Sequence, residues 1–423
     1  MTETRAQRPS APGPPPAPAR ANTGRNAAFA TLSAGSGVLL LALLIFAGRW
    51  LGDDAYGRFS FALALAVIFE TLTDFGLKDV TTRAVARDRR LAASYLANTF
   101  GLKLLLGAAT VFLLAATVAL LRPEWDVRVA TVALGCAAVF RSYMTSVRSV
   151  FYGIDRFDLE TAVLVADRGL LLVIGMAALL AGYGVMGLAI AFVVARAAAL
   201  AAAWILATGQ LGRVGFGADL GFWRDLQLQA VPFGAFLIVL QLYNYIDTVM
   251  LGLMRGDAET GLYNAAYRLY EGASHIPSII GVVLTPRLAR EYVSDRLAHA
   301  RLAKRGLVAA AALALPASAA GILVAGPVTR ALFGLEYDAS VRVFQILIAG
   351  AAVVFPLAVL HAVAISMNAE RRLLATAVVG CAANLALNLL LIPPYGMHGA
   401  AAATLLGEAI SLGVLGALLW RPR

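Results

Sequence analysis

The feature that most constrains this chain is a series of twelve apolar segments, each long enough to form a helix across a membrane. Such a helix needs about 20 residues to span the ~30 Å hydrocarbon core of a bilayer. Of the 423 residues, 60% are hydrophobic and 14% are charged, whereas soluble domains are about half apolar and about a quarter charged. We therefore predict an all-α polytopic membrane protein. The predicted spans are roughly 27–48, 58–77, 95–121, 127–148, 160–181, 185–208, 229–253, 261–285, 305–326, 342–366, 372–392 and 397–420.

The basic residues are divided unequally between the two faces of the predicted membrane domain. Of the 35 Lys and Arg residues, 24 are assigned to the face of the two termini, seven to the opposite face, and four lie deeper in spans, with cations near a span end counted on the nearer face. Cytoplasmic loops carry such an excess, so we predict cytoplasmic termini and a location in the inner (cytoplasmic) membrane. Because the cations follow this topological rule, the net charge of +10 does not indicate a nucleic-acid partner.

Short motifs indicate that the chain contains two similar halves. The segment Gly52-Asp-Asp-Ala-Tyr-Gly57 has a counterpart in Gly256-Asp-Ala-Glu-Thr-Gly261, 204 residues later. A second pair of motifs, Gly182–Gly187 and Pro394–Gly399, is offset by 212 residues. An even number of spans in each half gives both copies the same topology, which is a parallel repeat. We therefore predict two six-helix lobes that meet across a central cleft.

The predicted spans and the polar segments between them divide the chain into four parts. Residues 1–25 carry proline at six positions and predict a disordered cytoplasmic tail, because such a segment can form neither a helix nor a core. The N-terminal lobe is predicted over residues 26–208 and the C-terminal lobe over residues 229–423. Residues 209–228 alternate apolar with charged side chains and predict an interfacial helix that joins the lobes.

A polar stripe runs through the eighth span. Asn264, Arg268, Glu271 and His275 follow one another at intervals of 4, 3 and 4 residues, which places them on one helical face. A charge inside a bilayer costs about 3 kcal/mol or more, so such a side chain faces a cavity or a partner. Two interpretations fit: Arg268 and Glu271 line a cavity for an anionic substrate, or they form an ion pair that packs the helix against a neighbour.

Further candidates lie in other spans. Arg196 and Arg168 are intramembrane cations that either line the cavity or form structural pairs, and Lys103 is predicted to extend its side chain to the membrane interface. The remaining substrate-contact candidates are Tyr267 and Tyr270, whose aromatic faces and hydroxyls suit a sugar. The candidates for coupling to H⁺ or Na⁺ are Glu70, Asp74 and Asp247, because a carboxylate shielded from water can bind and release a cation.

The sequence contains no motif of a catalytic site. There is no phosphate-binding Gly-Lys loop, no cluster of metal-ligand residues and no Ser/His/Asp arrangement with a soluble domain to hold it. We therefore predict that the protein is not an enzyme and uses no cofactor or metal.

Four segments resemble one known family. Gly48–Phe61 and Asp74–Leu77 resemble the N-terminal region of bacterial Wzx-type polysaccharide flippases, and Tyr245–Gly252 with Gly261–Arg268 are similar to the second half of those proteins. That family belongs to a superfamily that also contains MATE-type multidrug extruders. The resemblance implies a MATE-like pair of lobes and the transfer of a polyprenyl-diphosphate-linked oligosaccharide to the outer leaflet by alternating access.

Together with the intramembrane charges, the resemblance leads to a hypothesis about roles and partners. Arg268 first and Arg196 second would hold the diphosphate, and H⁺ or Na⁺ would be the coupling ion. Membrane lipids, a polysaccharide polymerase or glycosyltransferases would be the neighbours. Two alternatives stay open: a drug or cation antiporter of the MATE type, and a non-transporting scaffold of a polysaccharide assembly complex.

Overall fold

The computed structural model describes residues 29, 32, 33 and 35–420. Within that part of the chain the secondary structure is helical and contains no β-strand, as the composition predicts. The predicted disordered tail, residues 1–25, lies outside the described residues.

Thirteen helices follow one another in the described residues, with 3₁₀ turns at Arg89–Leu91 and Leu335–Tyr337. The first half of the chain contains α1 (Gly37–Leu51), α2 (Asp53–Asp74), α3 (Leu77–Arg87), α4 (Ala92–Leu121), α5 (Trp125–Gly153), α6 (Phe157–Leu180) and α7 (Gly184–Leu211). The second half contains α8 (Leu220–Met254), α9 (Asp257–Ser294), α10 (Arg296–Phe333), α11 (Asp338–Ala349), α12 (Ala351–Ser366) and α13 (Glu370–Leu419).

These helices accommodate all twelve predicted spans. In the described part of the chain, nine helical segments are long and apolar enough to cross a membrane. One of them, α13, changes direction at Gly396 (φ 55°, ψ −133°) after two prolines and therefore contains the last two predicted spans. The first and eighth spans correspond to α1, which has only 15 residues, and to α9, which carries the polar stripe.

The repeated Gly-Asp motif has the same local structure in both halves. Gly52 (φ 78°) separates α1 from α2, and Gly256 (φ 92°) precedes α9. A positive φ of this size favours glycine, because a Cβ atom would clash with the backbone. Each glycine is followed by an aspartate at the first position of the next helix, Asp53 or Asp257, where a negative charge complements the helix dipole.

The segment between the halves differs from the prediction. Instead of one interfacial helix over residues 209–228, α7 ends at Leu211 before Gly212 (φ 77°), residues 213–219 are not helical, and α8 begins at Leu220 and continues to Met254. Gly217 N–H donates to Ala97 O at 2.8 Å, and a Cβ atom on Gly101 would lie 1.9 Å from Gly217 O. This close approach of two backbones lies where the sequence predicted the first half of the interfacial helix.

Helix α2 is the central element of the packing between the halves. Within the first half it packs on α5, and α7 packs on α5 and α6; within the second half, α9 packs on α11 and α12, and α8 packs on α13. Across the halves, α2 packs extensively on both α8 and α9. Buried Phe59 and Phe61 of α2 share one apolar core with Val249 of α8 and Ala265 of α9. The position of α2 therefore depends on both halves at once.

The long helices α9 and α10 form a hairpin with a single residue between them. Each has 38 residues, or about 57 Å at 1.5 Å per residue, so both extend beyond a ~30 Å hydrocarbon core. Asp295 joins them, and its carboxylate accepts hydrogen bonds from Leu297 N–H at 2.8 Å and Ala298 N–H at 3.1 Å. The N–H groups of Ala298 and Leu297 lower the pKa of this exposed carboxyl group.

Candidate functional site

Four arginines and an aspartate line a cavity inside the first half. The cavity has a volume of about 90 Å³, and its charged walls are Arg141 and Arg148 of α5, Asp167 and Arg168 of α6, and Arg196 of α7. Arg141 and Arg148 are seven residues apart on α5 and therefore share one helical face. We call these four arginines the arginine cluster.

Two arginines of the cluster have complete ion pairs. Arg141 Nε donates to Glu70 Oε2 of α2 at 3.0 Å, and its Nη2 contacts the same oxygen. Arg148 Nε donates to Glu160 Oε1 of α6 at 2.9 Å, and its Nη2 contacts the same oxygen. An arginine with two donors on one carboxylate is held in a fixed geometry. These two pairs position the walls of the cavity.

The other two arginines of the cluster are incompletely paired. Arg196 is 5% exposed, and its Nε lies 3.9 Å from Asp167 Oδ1. Neither of these two atoms has a hydrogen-bond partner among the described residues. Arg168 donates to Ser36 Oγ at 2.6 Å and to Ser33 O at 3.3 Å, and no carboxylate of the described chain lies within 4 Å of it.

The charges around the cavity do not balance. Four guanidinium groups face three carboxylates, those of Glu70, Glu160 and Asp167. Burying a cation without a full set of partners is costly. The excess positive charge and the free donor of Arg196 therefore make the cavity a candidate site for an anion.

Arg268 of α9 and Glu271 form an ion pair in the second half. Arg268 Nη1 donates to Glu271 Oε2 at 2.6 Å, which is the i, i+3 ion pair that the spacing allows. Arg268 is 5% exposed, while the side chain of Glu271 is 39% exposed. The pair therefore joins a buried cation to a carboxylate that is partly exposed.

The remaining members of the predicted polar stripe separate from Arg268. Asn264 is buried, donates to Thr260 O at 2.9 Å and accepts from Thr248 Oγ1 at 3.3 Å, so its side chain is used within the second half. His275 is exposed. The helical spacing therefore places these side chains along one helix, but Asn264 and His275 have different environments from the Arg268–Glu271 pair.

The two tyrosine candidates lie inside the second half. Tyr270 donates to Glu408 Oε1 of α13 at 2.5 Å. Tyr267 lies between Tyr263 and Tyr270, with ring centroids 5.8 Å and 6.0 Å apart. These contacts form an aromatic row that packs α9 against α13.

The three coupling candidates have distinct partners. Glu70 pairs with Arg141, as described above. Asp247 is buried, accepts from Thr248 N–H at 2.7 Å and from the hydroxyl of Tyr263, and has no cation within 4 Å in the described part of the chain. Asp74 accepts from Lys103 Nζ at 2.7 Å.

The pair of Lys103 and Asp74 corrects a prediction. Lys103 is 0% exposed, and its Nζ also donates to Ser142 O and Ser142 Oγ, each at 2.8 Å. The ammonium group therefore lies between α2, α4 and α5 with three oxygen acceptors. It does not extend to the membrane interface, because these acceptors satisfy it inside the protein.

Arg141 and Arg148 are site residues that the sequence analysis missed. Both lie in the second half of the fourth predicted span (127–148), and the charge count assigned them to the cytoplasmic face, whereas α5 continues to Gly153. A usable signal was present. The two arginines share one helical face with Thr145, a polar stripe that a solvent-exposed loop does not require.

Comparison with known proteins identifies the family. The profile of the family described as "Polysaccharide biosynthesis protein" matches residues 23–291, which is more than half of the chain. A curated relative, the probable flippase AglR of Haloferax volcanii, is 29% identical over 174 residues, which is 40% of this chain and 36% of AglR. The chain thus matches about a third of the length of that relative.

Solved transporter structures share the fold at low sequence identity. The lipid II flippase MurJ in an inward closed conformation has a TM-score of 0.75 at 13% identity, over 92% of this chain and 86% of MurJ. A MATE-family multidrug transporter of the MOP superfamily has a TM-score of 0.72 inward-facing, at 14% identity over 90% of this chain and 93% of its own. An outward-facing structure of a MATE-family transporter has a TM-score of 0.58 at 14% identity, over 93% of this chain and 94% of its own. The chain is therefore a multi-pass membrane protein with the fold of these transporters, and it belongs to the polysaccharide biosynthesis protein family.

Proposed function

We propose that the protein is a flippase that moves a polyprenyl-diphosphate-linked oligosaccharide across the inner membrane for surface polysaccharide biosynthesis. The observation that carries the proposal is the cavity in which Arg196 and Arg168 lack carboxylate hydrogen bonds while four arginines face three carboxylates. A diphosphate supplies the missing negative charge and the missing acceptors. The family and the flippase relative support the same class of activity.

The proposed chemistry is binding and transfer without a covalent step. A diphosphate and its sugars cannot cross the hydrocarbon core unaided, because each unpaired polar group there costs several kcal/mol. Arg168 and Arg196 would meet the phosphates first, since Arg141 and Arg148 are already held by Glu70 and Glu160. Arg268 would approach from the other half.

The proposed transport cycle is alternating access between two lobes that correspond to the two halves of the chain. The excess of Lys and Arg on one face favours cytoplasmic termini, which puts the ends at which α2 and α9 begin on the outer side. Asp247 is the proposed site of H⁺ or Na⁺ coupling.

The alternative transporter is a drug or cation antiporter of the MATE type. A MATE-type antiporter for cationic drugs would need a cavity with an excess of carboxylates, because an excess of positive charge in the cavity would repel a cationic substrate. The arginine cluster has the opposite balance. Its surplus cation therefore favours the anionic substrate, and growth on cationic drugs with and without the gene would detect the antiporter.

The test is leaflet-resolved. In spheroplasts whose only flippase is this protein, a membrane-impermeant sugar probe would measure lipid-linked oligosaccharide on the outer leaflet. We expect outer-leaflet signal with the parent protein, loss of at least about tenfold with Arg168→Ala or Arg196→Ala, and no loss with Arg342→Ala, an exposed arginine of α11 without an ion pair in the described structure. Full activity of both cavity variants at parental expression would reject the proposed site.

A further inference from the structure

The two copies of the Gly-Asp motif contact each other directly. A Cβ atom on Gly57 would lie 1.8 Å from Asp257 O, and one on Gly261 would lie 1.9 Å from Asp53 O. Both distances are far shorter than any ordinary van der Waals contact, so only glycine permits this approach. Since each glycine packs on the aspartate of the other copy, the contact is reciprocal. We call the contact of these four residues the glycine seam.

Further bonds join the two halves at the same end of the molecule. Tyr337 donates its hydroxyl hydrogen to Gly48 O at 2.7 Å, and Arg49 Nη1 donates to Ala331 O at 2.9 Å. Both bonds connect the end of α1 with the segment at the end of α10. The halves are therefore in close contact on this side, through backbone atoms as well as side chains.

The seam is symmetric in its backbone but asymmetric in its charges. Arg122, in the loop between α4 and α5, donates from Nη2 to both carboxylate oxygens of Asp257 at 2.7 Å and from Nη1 to Gly252 O at 3.0 Å. Asp53 is the repeat counterpart of Asp257, and its carboxylate accepts only from Asp54 N–H at 2.8 Å among the bonds of the described chain. One of the two equivalent aspartates is thus bound across the halves.

The Arg122–Asp257 ion pair is shielded from water. Arg122 is 6% exposed, and the side chain of Asp257 is 12% exposed. The guanidinium group also lies over the ring of Phe61, 4.9 Å from its centroid. Removal of one partner of a shielded pair leaves the other charge uncompensated, so the closed seam is destabilised in a variant that lacks either Arg122 or Asp257.

The first half contains alternative partners for the same arginine. Arg122 Nε donates to Glu124 Oε2 at 3.0 Å, and Arg58, whose Nε lies 3.5 Å from Asp257, also pairs with Asp54 and Asp126. When the halves separate, both arginines keep a carboxylate in their own half. Separation of the halves therefore leaves only Asp257 without an arginine partner, and water can then hydrate its carboxylate. The ion pair can thus break and form again reversibly.

We propose that the Arg122–Asp257 ion pair is a reversible gate contact that holds the glycine seam closed and thereby sets the equilibrium between inward and outward conformations. This inference rests on the proposed flippase function for its role in transport, but its structural content does not depend on the substrate. It assigns the gate to one asymmetric ion pair, although the backbone contact around it is repeated in both halves.

The experiment measures the distance between the halves directly. Spin labels would be placed at Leu120→Cys and Leu335→Cys, two exposed positions at the seam end of opposite halves, after replacement of Cys136 and Cys381 by alanine. Double electron–electron resonance in lipid nanodiscs would compare the parent with Arg122→Ala, Asp257→Asn and the double variant. The matched control is Arg330→Ala, which breaks an Arg–Asp pair at 2.7 Å that lies entirely within the second half.

We expect both single variants to raise the ratio of long to short distances by about tenfold or more. The double variant should go no further than the single variants, because both remove one contact, and Arg330→Ala should match the parent. Unchanged distances in Asp257→Asn, an isosteric change, would overturn the gate even if Arg122→Ala fails to fold.

The same samples separate the gate from the flippase. Shifted distances without any oligosaccharide flipping by the parent would retain the gate and reject the proposed function. Unshifted distances in a protein that flips and depends on Arg168 and Arg196 would retain the function and reject the gate.

Discussion

Arg196 Nε and Asp167 Oδ1 face each other at 3.9 Å inside the first half, and neither atom has a hydrogen-bond partner among the described residues. The guanidinium group also lies over the ring of Phe192, 5.3 Å from its centroid, which supports its position without using its donors. A buried ion pair at this distance has lost hydration without gaining a full bond. The Nε donor of Arg196 is therefore free to bind a ligand that carries hydrogen-bond acceptors.

Asp167→Asn should strengthen the binding of an anion. The substitution keeps the size of the side chain and removes the negative charge opposite Arg196, so the excess positive charge of the cavity increases. We expect the affinity for inorganic pyrophosphate, measured by isothermal titration in detergent, to rise by about threefold to tenfold. Arg196→Ala should weaken it by at least the same factor, and equal affinities in parent and both variants would remove the cavity from consideration as the phosphate site.

Lys103→Met should destabilise the protein through the partner that it leaves behind. Asp74 would keep a shielded charge without its ammonium group, and the loss of one member of a buried pair costs about 3–5 kcal/mol. The free energy of unfolding in a denaturant titration would measure this. Adding Asp74→Asn should recover much of the loss. Lys304→Met, at an exposed position of α10, is the control, and an equal loss in that variant would contradict the explanation.

The sequence was sufficient to predict the helices because their signal is local. Apolar length predicts the spans, and the Gly-Asp motif predicts the repeat, whose two copies have the same backbone conformation at Gly52 and Gly256. That these copies contact each other through Gly57 and Gly261 could not be predicted, because a parallel repeat fixes the direction of two helices but not which ends touch.

The pairing of charges was the part that the sequence could not provide. Lys103 pairs with Asp74, 29 residues away in sequence, and Arg141 pairs with Glu70, 71 residues away. Helical spacing contains no information about such partners on other helices. Arg268 and Glu271 were predictable as a pair, since three residues separate them. The prediction of a linker helix was wrong over residues 212–219. Gly217 forms a hydrogen bond with Ala97 there, and the local sequence of the linker does not show that α4 lies beside it.

Gly57→Ala and Gly261→Ala should both prevent closure of the glycine seam. Each new methyl group would lie within 2 Å of a carbonyl oxygen of the other half, and a backbone carbonyl cannot rotate away as a flexible side chain can. We expect the spin-label distances between the halves to lengthen and flipping to fall by about tenfold or more.

Gly209→Ala is the control for these two variants. A Cβ atom at that position of α7 meets no atom within 4 Å, so the distances should stay parental, and the helix should gain slightly in stability. If Gly57→Ala closes as the parent does, then the seam tolerates a side chain and the backbone approach does not limit closure.

Asp247→Asn should uncouple transport from the ion gradient while leaving substrate binding in place. Asp247 is buried beside Tyr263 and Thr404 and has no cation within 4 Å among the described residues, and it does not line the cavity of the arginine cluster. A carboxylate shielded from water in this way can bind and release H⁺ or Na⁺, whereas an amide cannot.

Flipping in proteoliposomes under an imposed H⁺ or Na⁺ gradient would measure the effect of Asp247→Asn. We expect the parent to respond to one of the two gradients and Asp247→Asn to flip at the same rate with and without it, while its affinity for pyrophosphate stays parental. Tyr263→Phe removes one hydrogen bond but keeps the carboxylate, so it should retain the response. A full gradient response in Asp247→Asn would assign coupling to another group, and Glu70, already held by Arg141, would be the next to test.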